Sequence, residues 1–193
     1  MNIKSIRSRE ALKEILYNPE QSNMPDPVYW VFNKVTKDKW ENVTIISSSF
    51  GDGEFPKTYG HYHASANQET YELIKGTGIF LLQKRHYDKD GIWIPDIVDE
   101  VFFVKFTTPG ERITITQKYG HSWSNIGDEP LILFDDWRNG HTPEDYEPIK
   151  RLKGLAYYLI RKGSEVDVVP NPNYKDLPQP KFVTPKEFAE LQS

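Results

Sequence analysis

Short apolar runs rich in Val, Ile, Tyr, Phe and Trp recur along most of the chain, and Gly, Asp, Asn and Pro separate them. This pattern is typical of β-strands bounded by turns. It predicts nine strands, at residues 28–34, 40–47, 57–63, 70–83, 101–106, 111–116, 130–134, 155–161 and 165–169. Many short strands with hardly any helical period indicate an antiparallel sandwich or barrel.

Helical signals are confined to the two ends of the chain. Ser8 can cap a short amphipathic helix within residues 8–17, which Asn18-Pro19 ends. Near the other end, Thr184 is a candidate N-cap and Glu187 completes a capping box, after a proline-rich stretch that predicts an extended arm. We therefore expect an N-terminal helix and linker (1–25), a barrel domain (26–174), and a C-terminal arm with a short helix (175–193).

Composition narrows the class of protein. The chain has 193 residues, of which 37% are hydrophobic and 13% aromatic, so it is long enough for one domain with a substantial core. Its formal net charge of −4 disfavours a nucleic-acid partner. It contains no cysteine, which excludes disulfides, thiolate metal sites and cysteine nucleophiles. No apolar run is long enough for a membrane span, and the charged N-terminus lacks a signal-peptide core, so we expect a soluble cytoplasmic protein without a membrane partner.

Two of the five histidines stand close together, as His61 and His63 in the segment GHYH. Residues two apart on a strand face the same side, so both imidazoles can point to one place. A hairpin would bring Glu69, six residues further on, beside them. These three ligands would form an open site for a divalent first-row metal. The alternative is a pair of surface histidines on a polar strand.

Two longer segments carry a family resemblance. The stretches GHYHASANQETYELIKG and PGERITITQKYGHSWSN resemble the two sequence motifs of the cupin superfamily. The resemblance implies a double-stranded β-helix, or jelly-roll barrel, that holds a single metal ion. Carried over by position, its ligands are His61, His63, Glu69 and His121.

The resemblance is closer to one group within the cupins. The stretches DPVY, VTIISSSFGDGEFPKTYGHYHA, KGTGIFLLQ, HSWSNIGDEPLILF and DYEPI are similar to the cupin-type glucose-6-phosphate isomerases, from Asp26 to Tyr174. This implies an enzyme of glycolysis and gluconeogenesis that interconverts glucose 6-phosphate and fructose 6-phosphate. It also implies a homodimer and one divalent metal per subunit, Fe or Mn, with Zn, Ni or Co as alternatives.

The same resemblance assigns roles to individual residues. It implies catalytic roles for His61, Glu69 and Tyr71. It implies substrate contacts from Thr44, Thr58, Gly60, Tyr29, Tyr71, His141 and Tyr146. Arg138 and Lys57 are further candidate donors to a phosphate. The residues alone allow a simpler interpretation, because Thr favours strands, Tyr often lies in cores, and glycine can relieve crowding at a bend.

Other functions and mechanisms remain open. The same ligands with iron would suit a cupin dioxygenase, which needs an apolar pocket, and a sugar-binding or storage cupin would need no catalysis. A structural zinc site prefers thiolate ligands, which this chain lacks. For the isomerase, proton transfer through an enediolate and a hydride shift are both possible, and mannose 6-phosphate is a further candidate substrate. Residues 84–99 form a longer loop than the family pattern, with His86 expected on the surface.

Overall fold

The computed structural model describes residues 1–36, 39–49 and 51–192; Lys37, Asp38, Phe50 and Ser193 lie outside the described residues. The strands are β1 (Asn2–Arg7), β2 (Tyr29–Asn33), β3 (Asn42–Ile46), β4 (Gly53–Glu54), β5 (Glu69–Lys75), β6 (Gly78–Tyr87), β7 (Trp93–Phe106), β8 (Arg112–Ile115), β9 (Tyr119–Asn125), β10 (Leu131–Asp135), β11 (Tyr157–Lys162), β12 (Glu165–Pro170) and β13 (Lys181–Val183). The helices are α1 (Arg9–Leu12), α2 (Pro143–Arg151) and α3 (Pro185–Gln192), with short 3-10 turns at Lys13–Ile15 and Pro19–Gln21.

The strands form three sheets around one core. A six-stranded sheet has the order β1-β2-β3-β10-β5-β8, a four-stranded sheet the order β13-β7-β6-β9, and a small sheet the order β12-β11-β4. Tyr71 on β5 packs its ring against Phe80 on β6 and Trp123 on β9, with centroids 5.0 and 5.6 Å apart. The two larger sheets therefore face each other across the core. The predicted all-β fold class with short terminal helices is confirmed, although the sheets do not close into one continuous barrel within the described ranges.

Several predicted strands differ in detail. The segment 57–63 is extended but is not a regular strand, because only Lys57 and His61 form isolated bridges to β9. The predicted strand 70–83 is two strands, β5 and β6, separated by a turn at Gly76 with φ +92°. Residues 84–99 belong mostly to the long β6–β7 hairpin, so this segment is paired backbone for most of its length and only its tip is a loop.

The two ends of the chain pack on the sheets. β1, which the sequence pattern did not predict, pairs antiparallel with β2, and β13 pairs parallel with β7. The Ser8 hydroxyl accepts a hydrogen bond from the Ala11 N–H at 3.1 Å, so the predicted cap of the first helix is present. The capping box at the start of α3 is present too, since Thr184 and Glu187 exchange hydrogen bonds. Among the residues described, no helix has the length and apolarity needed to cross a membrane.

Candidate metal centre

The backbone brings His61 and His121 side by side. Each residue donates its N–H to the carbonyl oxygen of the other, at 3.1 and 3.0 Å, which joins the irregular segment 57–63 to β9. Gly60 has φ +83°, and a Cβ there would lie 3.1 Å from the His121 carbonyl oxygen. Only glycine therefore allows the segment to turn while lying this close to β9. Glu69 begins β5 on the facing sheet.

Four side chains meet between the sheets. One ligand atom from each of His61, His63, Glu69 and His121 lies within 4.8 Å of the others. A Glu69 carboxylate oxygen lies 2.8 Å from Nε2 of His63 and 3.4 Å from Nε2 of His121. The predicted hairpin is wrong, because the segment 57–63 contacts β9 whereas β5 pairs with β8 and β10 in the facing sheet. The four candidate ligands predicted from the sequence nevertheless lie together.

Burial controls the charge of this cluster. Burial lowers the pKa of His61 and of His121 well below the ordinary value and lowers the pKa of His63 to about 4, so these imidazoles are neutral at pH 7. Burial also raises the pKa of Glu69 to about 8, and a hydrogen bond from Tyr71 opposes that rise. Without a cation, the carboxyl group is held partly in its neutral form.

The donor set fits a divalent ion. Neutral imidazoles present free lone pairs, and Nε2 of His61 is buried without a hydrogen-bond partner in the described structure. A cation at this point would satisfy that nitrogen and would favour the ionised form of Glu69. Nitrogen and oxygen ligands of this kind suit Fe, Mn, Co, Ni or Zn, and the donor set does not single out one metal.

The other predicted site residues lie around one cavity. Three of the four ligands line it, together with Thr44, Thr58, Gly60, Tyr29, Tyr71, His141 and Tyr146. The structure therefore brings the ligand, catalytic and sugar-contact residues implied by the resemblance to one place, whereas the candidate phosphate donors Lys57 and Arg138 lie elsewhere. Their roles in binding and catalysis stay predictions.

Hydrogen bonds fix several of these residues in position. The Thr58 hydroxyl oxygen accepts from the Trp123 N–H at 3.0 Å and lies 3.2 Å from the Ser122 hydroxyl. The Tyr29 hydroxyl accepts from the Tyr59 N–H at 3.4 Å. The Tyr71 hydroxyl lies 3.4 Å from Nε2 of His121, so this tyrosine contacts the candidate metal cluster directly.

His141 and Tyr146 reach the cavity from the start of α2. The His141 and Tyr146 rings lie 4.2 and 5.5 Å from the His61 ring between centroids. Asp145 holds this helix against the ligand segment, because its carboxylate accepts from the N–H groups of Ala64 and Thr142, both at 2.9 Å. A helix that the sequence pattern did not predict thus places the two side chains beside the cluster.

The cavity is also lined by residues that the sequence did not single out, among them Lys4, Arg7, Asn42 and Asp135. Burial raises the pKa of Asp135 to about 7, with the nearby Glu69 charge adding to the rise. Asn42 donates to the Asp135 carboxylate and to the Trp137 carbonyl oxygen. The segment LILFDDW, in which Asp follows an apolar strand, could have indicated Asp135. The charged segment that contains Lys4 and Arg7 gave no such indication.

Three residues considered in the sequence lie elsewhere. The Lys57 ammonium is buried between Glu54 and the Ile15 carbonyl oxygen. Arg138 forms an ion pair with Glu41 at 3.0 Å and is not among the residues lining the cavity. His86 lies on β6, 2.7 Å from Asp99 and half-exposed, as its predicted surface position requires. Neither Lys57 nor Arg138 is placed to contact a ligand in the cavity.

Comparison with known proteins identifies the family. The family model "Glucose-6-phosphate isomerase (GPI)" matches residues 13–177. A glucose-6-phosphate isomerase from Thermococcus onnurineus (strain NA1) is 31% identical over 183 residues, covering 89% of this chain and 88% of that protein. One from Thermococcus gammatolerans is 30% identical over 157 residues, covering 77% and 74%. The Drosophila melanogaster CENP-C cupin domain aligns with 60% of this chain and 70% of that one at 14% identity and a TM-score of 0.37, which is too low to support an argument. On the family model and these relatives, the chain belongs to the glucose-6-phosphate isomerase family of enzymes.

Proposed function

We propose that the protein is a metal-dependent aldose–ketose isomerase that interconverts glucose 6-phosphate and fructose 6-phosphate. The observation that carries the proposal is the convergence of His61, His63, Glu69 and His121 at the cavity that the predicted sugar-binding residues line. Family membership supports glucose 6-phosphate as a substrate, since the matched relatives are named glucose-6-phosphate isomerases. The Lys4, Arg7 and Thr44 side chains at the cavity wall can form hydrogen bonds with a sugar phosphate, which the apolar substrate of a dioxygenase would not satisfy.

The four clustered side chains would hold the ion. When bound, the metal would supply Lewis-acid stabilisation of the negative charge that develops on the two sugar oxygens next to the reacting carbons. Iron or manganese is the proposed metal, on the family resemblance. Proton transfer, orientation of the carboxylate and binding of the sugar are proposed for side chains of the protein.

Glu69 is the proposed general base. Isomerisation moves a hydrogen between C1 and C2 of the open-chain sugar, and a carboxylate at this position can take the proton from one carbon and return it to the other. Tyr71 donates a hydrogen bond to Glu69 and lies beside His121, so it orients the carboxylate. Turnover in D2O tests this route: deuterium at C2 of glucose 6-phosphate supports proton transfer, and its absence supports a hydride shift.

The remaining predicted residues are proposed to bind the rest of the sugar. Thr44, Thr58, Gly60 and Tyr146 provide hydroxyl and N–H donors at the cavity wall. A phosphate held there, away from the reacting carbons, contributes binding energy and orientation. We also propose a cytoplasmic location, a homodimer, and a role in glycolysis and gluconeogenesis.

A coupled dehydrogenase assay with fructose 6-phosphate tests the function. We expect turnover that EDTA abolishes and that a first-row divalent metal restores. The His121→Ala variant should stay folded, lose bound metal by elemental analysis, and lose at least about 100-fold in kcat/KM, more than loss of an outer-shell partner costs. The His86→Ala variant is the matched control and should retain metal and activity. A metal-replete protein that turns over no phosphosugar would contradict the proposal.

A further inference from the structure

The predicted phosphate-binding residues that line the cavity supply no positive charge to it. Glu69 and Asp135 place two carboxyl groups at its wall, and a sugar phosphate adds a dianion. The predicted phosphate donors that line the cavity are neutral hydroxyl and N–H groups. Among the described residues that line the cavity, the lysine and arginine side chains are those of Lys4 and Arg7, and both belong to β1.

The geometry of β1 explains how this strand presents both cations. Its pairing with β2 is irregular between Ile3 and Ser5, where Lys4 is an extra residue. Such a bulge re-aims a side chain, so Lys4 can share the cavity side with Ser5 and Arg7, which face it by ordinary strand alternation. Ile3 and Ile6 remain exposed, at 64% and 50%. The strand thus presents its polar positions to the cavity and its apolar ones to solvent.

The two cations serve different ends of the cavity. The Lys4 ammonium donates to Oδ1 of Asn42 at 3.1 Å, and Asn42 in turn donates to Asp135. Lys4 therefore lies at the carboxylate end, where it compensates negative charge that the protein itself supplies.

Arg7 lies among tyrosines instead. Burial raises the pKa of Tyr29, of Tyr59 and of Tyr146, and the charge of Arg7 opposes each of these rises. No carboxylate in the described parts of the chain forms an ion pair with Arg7. Arg7 also borders the outer groove that Tyr59 and Tyr146 share with the cavity. Its charge is therefore available at the mouth of the site.

We propose that Arg7 is a specificity-determining residue that recognises the phosphate dianion of the substrate. A guanidinium presents a planar fork that can bind a phosphate through two parallel hydrogen bonds, and its charge strengthens both. Tyr146, Thr58 and Gly60 would surround the same phosphate with neutral donors. The inference rests on the proposed function, because it assigns a partner to the phosphate of that substrate.

Steady-state kinetics of Arg7→Gln test the proposal. We expect KM for fructose 6-phosphate to rise about 10- to 100-fold, as for loss of a charged hydrogen bond, while kcat changes less than about threefold. Inorganic phosphate should inhibit the variant more weakly by a similar factor, and Arg7→Lys should recover part of the loss. Arg138→Gln is the matched control, with the same change of side chain and charge outside the cavity, and should keep wild-type KM.

Two outcomes overturn the assignment. In the first, Arg7→Gln has the same KM and the same inhibition by phosphate as the control Arg138→Gln. In the second, Arg7→Gln loses kcat and kcat/KM equally, which would indicate a structural or transition-state role. Calorimetric titration with inorganic phosphate separates this inference from the proposed function. If the wild-type protein binds phosphate but has no isomerase activity, and Arg7→Gln abolishes that binding, the anion site is supported and the isomerase proposal is refuted. Phosphate binding unaffected by Arg7→Gln would refute the anion site alone.

Discussion

At the scale of single residues, Gly120 shows how tightly the metal cluster is packed. It precedes His121 on β9, and a Cβ at this position would overlap the ring of Tyr62. That ring cannot retreat easily, because it is buried and its hydroxyl accepts from Gln83, whose own Oε1 accepts from the Ala156 N–H at 2.7 Å. The residue beside a candidate ligand is thus fixed by contacts that the sequence motif does not reveal.

We expect Gly120→Ala to destabilise the protein by about 2 kcal/mol, the ordinary cost of overpacking a core. Urea unfolding of the purified variant measures the change. Gly140→Ala is the control, since a Cβ there meets nothing within 4 Å, and its effect should stay within about 0.5 kcal/mol. Equal stability of the two variants would show that the Tyr62 side chain can move aside.

The candidate ligands were predictable from the sequence for a physical reason. His61, His63 and Glu69 lie close in sequence, and the motif around His121 identifies the fourth. Arg7 and Asn42 were not predictable, because they reach the cavity through the order of strands in the six-stranded sheet. Local periodicity carries no information about which strands become neighbours across a sheet.

At the scale of elements, α3 acts as a cover on the four-stranded sheet. Phe188 is only 1% exposed and lies with its ring 5.1 Å from that of Phe102 on β7 and 5.7 Å from that of Tyr119 on β9. The helix therefore buries an aromatic side chain against the two strands that flank β6. Its docking contributes to stability at a distance from the cavity.

Phe188→Ala should lower the free energy of unfolding by about 3–4 kcal/mol, as other large core truncations do. Phe182→Ala supplies the comparison on the same arm, because Phe182 is 61% exposed, and it should cost less than about 1 kcal/mol. Chemical denaturation gives both values, and elemental analysis should find the metal content of both variants unchanged. A Phe188→Ala loss no larger than that of Phe182→Ala would contradict the docking role of α3.

The helices and strands differ in how well the sequence predicts them. The capping residues Ser8 and Thr184 predicted two helices. The helix α2 was not predicted, because Pro148 within it interrupts the helical pattern of the sequence. The segment 57–63 alternates like a strand, yet the left-handed turn at Gly60 and the close approach to β9 prevent regular pairing. Tertiary contacts determine the backbone conformation at both places, and local propensity alone does not predict it.

At the scale of the whole molecule, the stability of the metal-free protein should depend on pH through Glu69. Its folded-state pKa of about 8 lies above the ordinary value, so the folded state binds the proton more tightly than the unfolded chain does. That contribution is fully present below the ordinary pKa and is lost as pH rises through about 8. The buried histidines have lowered pKa values and act in the opposite direction, because their unfolded forms are still partly protonated near pH 6.5. Asp135, with its pKa raised to about 7, adds to the loss.

Because the other groups titrate in both proteins, we expect the metal-free wild-type protein to lose about 2 kcal/mol of stability relative to metal-free Glu69→Gln between pH 6.5 and 8, at up to about 1.4 kcal/mol per pH unit. Urea unfolding after removal of metal by EDTA measures this slope. The exposed Glu147→Gln variant is the control and should follow the wild-type pH dependence. An identical slope in Glu69→Gln would show that another group titrates. Added divalent metal should remove the slope, because a bound cation keeps the carboxylate ionised.

The placement of Arg7 on an outermost strand has a thermodynamic consequence. β1 is the outermost strand of its sheet and pairs with β2 along one edge, and such strands open locally at low cost. A ligand that binds only when the strand is docked stabilises the docked state, and this stabilisation grows with the concentration of the ligand. Amide hydrogens of Ser5 to Arg7 should then exchange more slowly with solvent when a phosphate compound is present, which makes the strand a reporter of whether the cavity is filled.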